Sequence, residues 1–71
     1  MNKDTFSFII YMIHKLADSW EVLPGKVYAL LKGSDCIDGY LVPHYDVLHT
    51  LSSDYLVEDI EKYLEKRGVV I

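Results

Sequence analysis

The chain has 71 residues, 51% of them apolar, and a formal net charge of −4 at pH 7. Its seven Lys and Arg are dispersed among eleven Asp and Glu, so no basic stripe neutralises phosphates and direct nucleic-acid binding is disfavoured. The single cysteine, Cys36, leaves neither an intrachain disulfide nor a cysteine-rich metal site, and a lone thiol with no secretory signal suits a reducing cytoplasm.

Helical periodicity begins at once. Phe6, Ile9, Ile10, Ile13, Leu16, Ala17 and Trp20 recur at spacings of three and four. This predicts a helix to about residue 19, capped by Asp4 or Thr5, with these side chains on one broad face. Phe8 and Met12 widen that face, and Asp4 suits the positive end of the helix dipole. β-Branched isoleucines lower helix propensity, so tertiary contacts must hold the segment. A buried strand over residues 8–13 competes with this reading, but the period continues through Trp20. The apolar run over residues 6–13 is far short of the ~20 residues that span a bilayer. Ser7 and Tyr11 interrupt it and His14 and Lys15 close it, so it reads as a core helix and not as a targeting or membrane segment.

Residues 18–23 read as a turn. Pro24 then opens a second helix, a position where its missing N–H is harmless. That helix is expected to run to about Lys32, with Val27, Leu30 and Leu31 inward, Tyr28 at the flank and Gly33 as a left-handed cap. The short link predicts that the first two helices are antiparallel neighbours.

Residues 37–50 concentrate the unusual chemistry, with two of the three histidines, two of the six tyrosines and one of the two prolines. Asp38-Gly39 predicts a tight turn with Gly39 at positive φ. Val42 precedes Pro43, whose ring disfavours the helical region, so residues 40–43 are expected to be extended. A short helix is expected from Pro43 to Thr50, with Tyr45, Val47, Leu48 and Leu51 available for burial. A serine at position 52 or 53 then caps the last helix, residues 54–67. There Leu56, Val57, Ile60, Tyr63 and Leu64 oppose Glu58, Asp59, Glu61, Glu65 and Lys66. Acids early and bases late suit the dipole, and Glu58 with Lys62 makes an i,i+4 pair. Gly68 stops the helix. The apolar tail 69–71 is too short for an independent strand, and either tucks against the bundle or stays open for pairing with another chain. The chain thus reads as a single all-α domain over residues 1–71, a small bundle of three longer helices and one short one, with an extended segment around Tyr40 to Pro43.

Chemistry is sparse. His44 and His49 are five apart, not the three or four that turn two imidazoles towards one ion. Asp46 and His49 can share a helical face, as an ordinary structural hydrogen bond would need. Cys36 with a histidine makes a nucleophile–base pair only on paper, because no activating motif accompanies it. No phosphate-binding glycine loop, paired carboxylates or serine elbow is present. His14 reads as a boundary residue. The expectation is therefore a non-enzymatic protein with no metal or cofactor. The alternative is a minor enzyme or metal-binding protein using Cys36, His44, Asp46 and His49. High apolar content in so small a domain, with six tyrosines, means either a dense core rimmed by tyrosine hydroxyls or an association surface. The surface is expected at Tyr40, Pro43, His44, Tyr45, Asp46 and His49, with Tyr55 and Tyr63 nearby. It takes a protein partner or a second copy, not nucleic acid or a membrane.

Ile37-Asp38-Gly39-Tyr40-Leu41-Val42-Pro43, then Tyr45-Asp46-Val47-Leu48-His49-Thr50, then Tyr55-Leu56-Val57-Glu58-Asp59-Ile60 and Lys66-Arg67-Gly68 together resemble a family of small bacterial proteins of unknown function. Val27-Tyr28-Ala29-Leu30-Leu31 resembles the family's Val-Tyr-x-Leu-Leu. Leu23 departs from the serine-like cap of that pattern, which implies a less firmly started second helix. The family carries no assigned catalytic residues. Relatives encoded beside toxin-like proteins, some similar to ADP-ribosyltransferases, imply an antitoxin-like or accessory binding role.

Overall fold

The computed structural model describes residues 2–69, which form α1 (Lys3–Trp20), α2 (Pro24–Gly33), a π-helical turn (Ile37–Leu41), α3 (Tyr45–Leu48) and α4 (Ser53–Lys66). Among the described residues there is no strand, and no helix is long and apolar enough to cross a membrane. The all-α class is as expected. Val70 and Ile71, the end of the expected apolar tail, lie outside the described residues, while Val69 packs against the core.

α1 carries the core. Its cap is Asn2, not Asp4 or Thr5: the Asn2 side chain accepts the Thr5 N–H at 2.8 Å, satisfying one of the donors that a helix start leaves free. Thr5 is thereby turned inward and buried. The apolar face divides into two neighbouring ridges. Thr5, Ile9, Met12 and Leu16 are all buried, whereas on the adjacent ridge Ile13 and Ala17 are buried but Phe6 and Ile10 stay 52% and 41% exposed. The expectation that all these residues share one buried face is corrected there. α1 contacts both α2 and α4, but the ten residues of α2 span only about 15 Å and cannot cover an 18-residue helix.

The expected turn at residues 18–23 is shorter, because α1 continues to Trp20. Glu21 takes the left-handed conformation (φ 56°), its N–H and that of Val22 turning back to carbonyls of the last turn. Val22 N–H donates to Ala17 O at 3.0 Å, the bond that closes a Schellman motif. Trp20 Nε1 donates to Glu61 at 2.7 Å, tying this end of α1 to α4.

α2 starts at Pro24 behind Leu23, which caps without any side-chain bond and is 78% exposed. The weak start implied by Leu23 is thus what the helix has. Gly33 ends α2 without adopting positive φ; the left-handed residue is Asp35, at φ 64°. Carbonyls of α2 are closed instead by Ser34 and Asp35 N–H and by the Ser34 hydroxyl on Leu31 O.

The largest departure follows. Residues 40–43 are not extended: Val42 N–H reaches back five residues to Ile37 O at 2.9 Å, and Val42 is helical at φ −68°, ψ −52°. The proline clash is outweighed because this winding buries both Ile37 and Leu41 in the core. Gly39 is likewise helical, not a positive-φ turn residue. A Cβ there would meet the exposed Asp35 carboxylate, a flexible side chain that can move aside. The helix expected from Pro43 shrinks to the four residues of α3, which buries Leu48 and leaves Val47 and Leu51 exposed.

α4 matches its periodicity, burying Leu56, Val57, Ile60 and Leu64. Ser52 caps it, its hydroxyl accepting the Tyr55 N–H. Gly68, at φ 73°, ends it in a second Schellman motif, with Val69 N–H on Leu64 O at 3.0 Å. Glu58 and Lys62 do not close; among the described residues the ion pair is Lys32 with Asp38, at 3.3 Å.

The two helix ends with the same motif respond oppositely to glycine chemistry. A non-glycine residue in the left-handed region costs about 1 kcal/mol. Glu21→Gly is expected to raise stability by up to about that amount and Gly68→Ala to lower it similarly, both read from urea denaturation midpoints.

Candidate functional site

The expected surface residues divide between two aromatic groups. In the first, Tyr40 on the π turn stacks on Tyr63 of α4, centroids 5.0 Å apart, and His44 tilts against Tyr40 at 5.8 Å. The Arg67 guanidinium covers the Tyr63 ring at 4.5 Å, and the Tyr63 hydroxyl donates to Asp35 O at 3.4 Å. In the second, Tyr45 stacks on His49 at 4.5 Å and meets Phe8 of α1 edge-on at 5.5 Å. Each such aromatic pair contributes about 0.5–1.5 kcal/mol beyond burial. Tyr40, Tyr45 and Tyr63 are half-buried and spend their ring faces on these intramolecular contacts. Pro43 and Asp46 are exposed beside them, lining a shallow hollow of about 290 Å³ with Asn2 and Tyr45.

The histidines are engaged separately. His49 Nδ1 lies 2.8 Å from Tyr45 O. A carbonyl only accepts, so Nδ1 carries the proton and donates. His49 therefore turns to its own backbone and not to Asp46. His44 rests on a different ring. Among the described residues, no three His, Cys, Asp or Glu side chains converge as a metal site would require.

Cys36 is wholly buried in the core. Burial pushes its thiol up to about 12, with the Asp59 and Asp35 carboxylates adding to the shift and Arg67 opposing it. A neutral, enclosed thiol is neither a nucleophile nor a ready metal ligand.

A different face is apolar and open. Phe6, Ile10 and Tyr28 stand 52%, 41% and 49% exposed around a cleft of about 220 Å³ between α1, α2 and the π turn. Ile9, Ile13 and Ile37 form its floor, and the Lys32–Asp38 ion pair crosses one end. Sequence reasoning assigned Phe6 and Ile10 to the core and missed this face. The available signal was the breadth of the α1 apolar arc, wider than one neighbouring helix of ten residues fills. On the other side of α1, a groove of about 590 Å³ against α4 is lined by Asp18, Asp54, Glu58 and Glu61 with Lys15.

Residues 7–67 match a family described as protein of unknown function (DUF3791), and the chain belongs to that family. The matched stretch contains the segments at 27–31, 37–43, 45–50 and 55–60 that carry the resemblance, and ends at Arg67, one residue short of Gly68. No curated protein and no solved structure matches the chain.

The thiol supplies a test of this geometry. Its folded value of about 12 lies above the ordinary 9.0, so the unfolded chain loses the proton first and stability from this group is full below pH 9. It declines as pH rises through the interval to about 12. The difference in urea midpoint between wild type and Cys36→Ala is expected to be constant below pH 9 and to shrink above it. A thiol reagent at neutral pH is expected to label Cys36 only after denaturant is added.

Proposed function

We propose that this protein is a non-enzymatic protein-binding module of the cytoplasm, and that the contact face is the apolar cleft bounded by Phe6, Ile10 and Tyr28. One observation carries this reading. A domain that already encloses Met12, Leu16, Leu31, Leu41, Leu56, Ile60 and Leu64 still leaves two large α1 side chains and a tyrosine open to water around one cleft. Burying apolar surface is favourable by roughly 25 cal/mol per Å², and contiguous open patches on small domains mark contact sites. An acidic net charge disfavours nucleic acid as the partner. The closed Cys36, its thiol pushed up by burial, supports the non-enzymatic reading, since a buried neutral thiol is a poor nucleophile. Pro43, His44, Asp46 and His49 remain as a polar rim on a separate side, and the resemblance adds a toxin-like neighbour to the partners such a module would take.

Phe6→Ser tests the reading, because Phe6 is half exposed at the rim of the cleft and lies outside the buried core. Tagged Phe6→Ser is expected to keep its helical circular dichroism and lose the stoichiometric companion, foreign or a second copy, that wild type retains. Retention by Phe6→Ser with loss in Tyr45→Ala would move the contact face to the second aromatic group. Wild type with no companion of either kind would end the reading.

A further inference from the structure

We infer that the occupant of this face is a second copy of the chain, packed with its α1 antiparallel to the first about a two-fold axis near Ile10. The inference rests on the reading of the cleft as a protein-binding face and adds the identity and orientation of the partner. Its basis is the order of charges on α1. At about 100° per residue, Lys3, Ser7, Ile10, His14 and Asp18 fall within an outward stripe about 80° wide, with Ile10 at the edge that borders the cleft and Asp18 at the edge that borders the α4 groove, and all five are exposed. The stripe begins with a cation, carries Ile10 between the uncharged polar Ser7 and His14, and ends with an anion.

That order is complementary to itself in one orientation only. Antiparallel pairing brings Lys3 opposite Asp18 of the second copy, Ser7 opposite His14, and Ile10 against Ile10 and Tyr11. Parallel pairing sets Lys3 on Lys3 and Asp18 on Asp18, which repel. The antiparallel arrangement also opposes the two helix dipoles. In a two-fold pair, equal flanks of the two helices meet, so the two clefts face each other and Phe6 and Tyr28 of each copy are shielded by the other. α1 spans about 27 Å against a longest molecular dimension of 28 Å, so the contact runs the full length of the domain.

Sedimentation velocity from about 1 µM to a few hundred µM is expected to show a reversible monomer–dimer equilibrium. Ile10→Glu is expected to leave a folded monomer throughout. Lys3→Glu and Asp18→Lys, each alone, are expected to weaken association by roughly tenfold, since each converts two attractive pairs per dimer to repulsive ones. Mixing these two variants is expected to restore the dimer as a heterodimer, because Glu then faces Lys and Asp faces Lys across both contacts. A monomer at every concentration, or a dimer indifferent to Ile10→Glu, would overturn the inference. So would a mixture that associates no better than its components. These failures are separable from failure of the binding reading: a wild-type monomer that still holds a foreign partner, lost in Phe6→Ser, keeps the face and discards the second copy.

Discussion

The structure depends on how one long helix is shared. α1 has 18 residues and packs against both α2 and α4, and no other element of the described chain is long enough to cover it. The ridge of Thr5, Ile9, Met12 and Leu16 is closed completely, and with Val27, Leu31, Leu56, Ile60 and Leu64 it makes the centre of the core. The neighbouring ridge is closed only at Ile13 and Ala17. A small domain has too little chain to bury every apolar side chain, and here part of the shortfall falls on the N-terminal half of α1, at Phe6 and Ile10. The open cleft follows directly from that geometry.

The middle of the chain solves a second problem, closing the core between α2 and α4 with few residues. The π turn does so by aiming Ile37 and Leu41 inward while placing Tyr40 outward against Tyr63. The arrangement holds Val42 in a helical conformation before a proline, which the local backbone alone disfavours. Tyr63, clamped between Tyr40 and Arg67 and bonded to Asp35 O, fastens the turn to α4. The aromatic richness of this region is therefore largely structural, since the rings are half-buried against one another. The same packing encloses Cys36 and keeps it a neutral thiol. Within the segment of most suggestive chemistry, the tyrosine rings and Cys36 are thus committed to the fold, while Pro43, His44, Asp46 and His49 stay exposed.

Much of the fold was legible from local patterns. The amphipathic period of α4, the serine before it and the glycine after it each act within a few residues, so the Ser52 cap and the left-handed Gly68 are where those signals place them. Pro24 at the start of α2 and the uncapped Leu23 are of the same kind. The candidate site was far less legible. Tyr40, Tyr45, His44 and His49 stood out by residue type, but type does not record that Tyr63, 23 positions beyond Tyr40 in the chain, occupies its ring face. Phe6 and Ile10 carried the opposite error, because an apolar residue in phase with a core is counted as core.

What the sequence by itself determined is the all-α class, the three longer helices and the cap and stop of α4, because each depends on side-chain spacing and backbone bonds within a turn or two. What only the tertiary structure decided is which α1 ridge is covered, which glycine-like positions fall to Glu21 and Asp35, and that Ile37–Leu41 wind into a π turn. Those outcomes depend on the relative lengths of α1 and α2 and on core space for Ile37 and Leu41. Both are properties of elements far apart in the chain, and periodicity within any one of them carries no record of them.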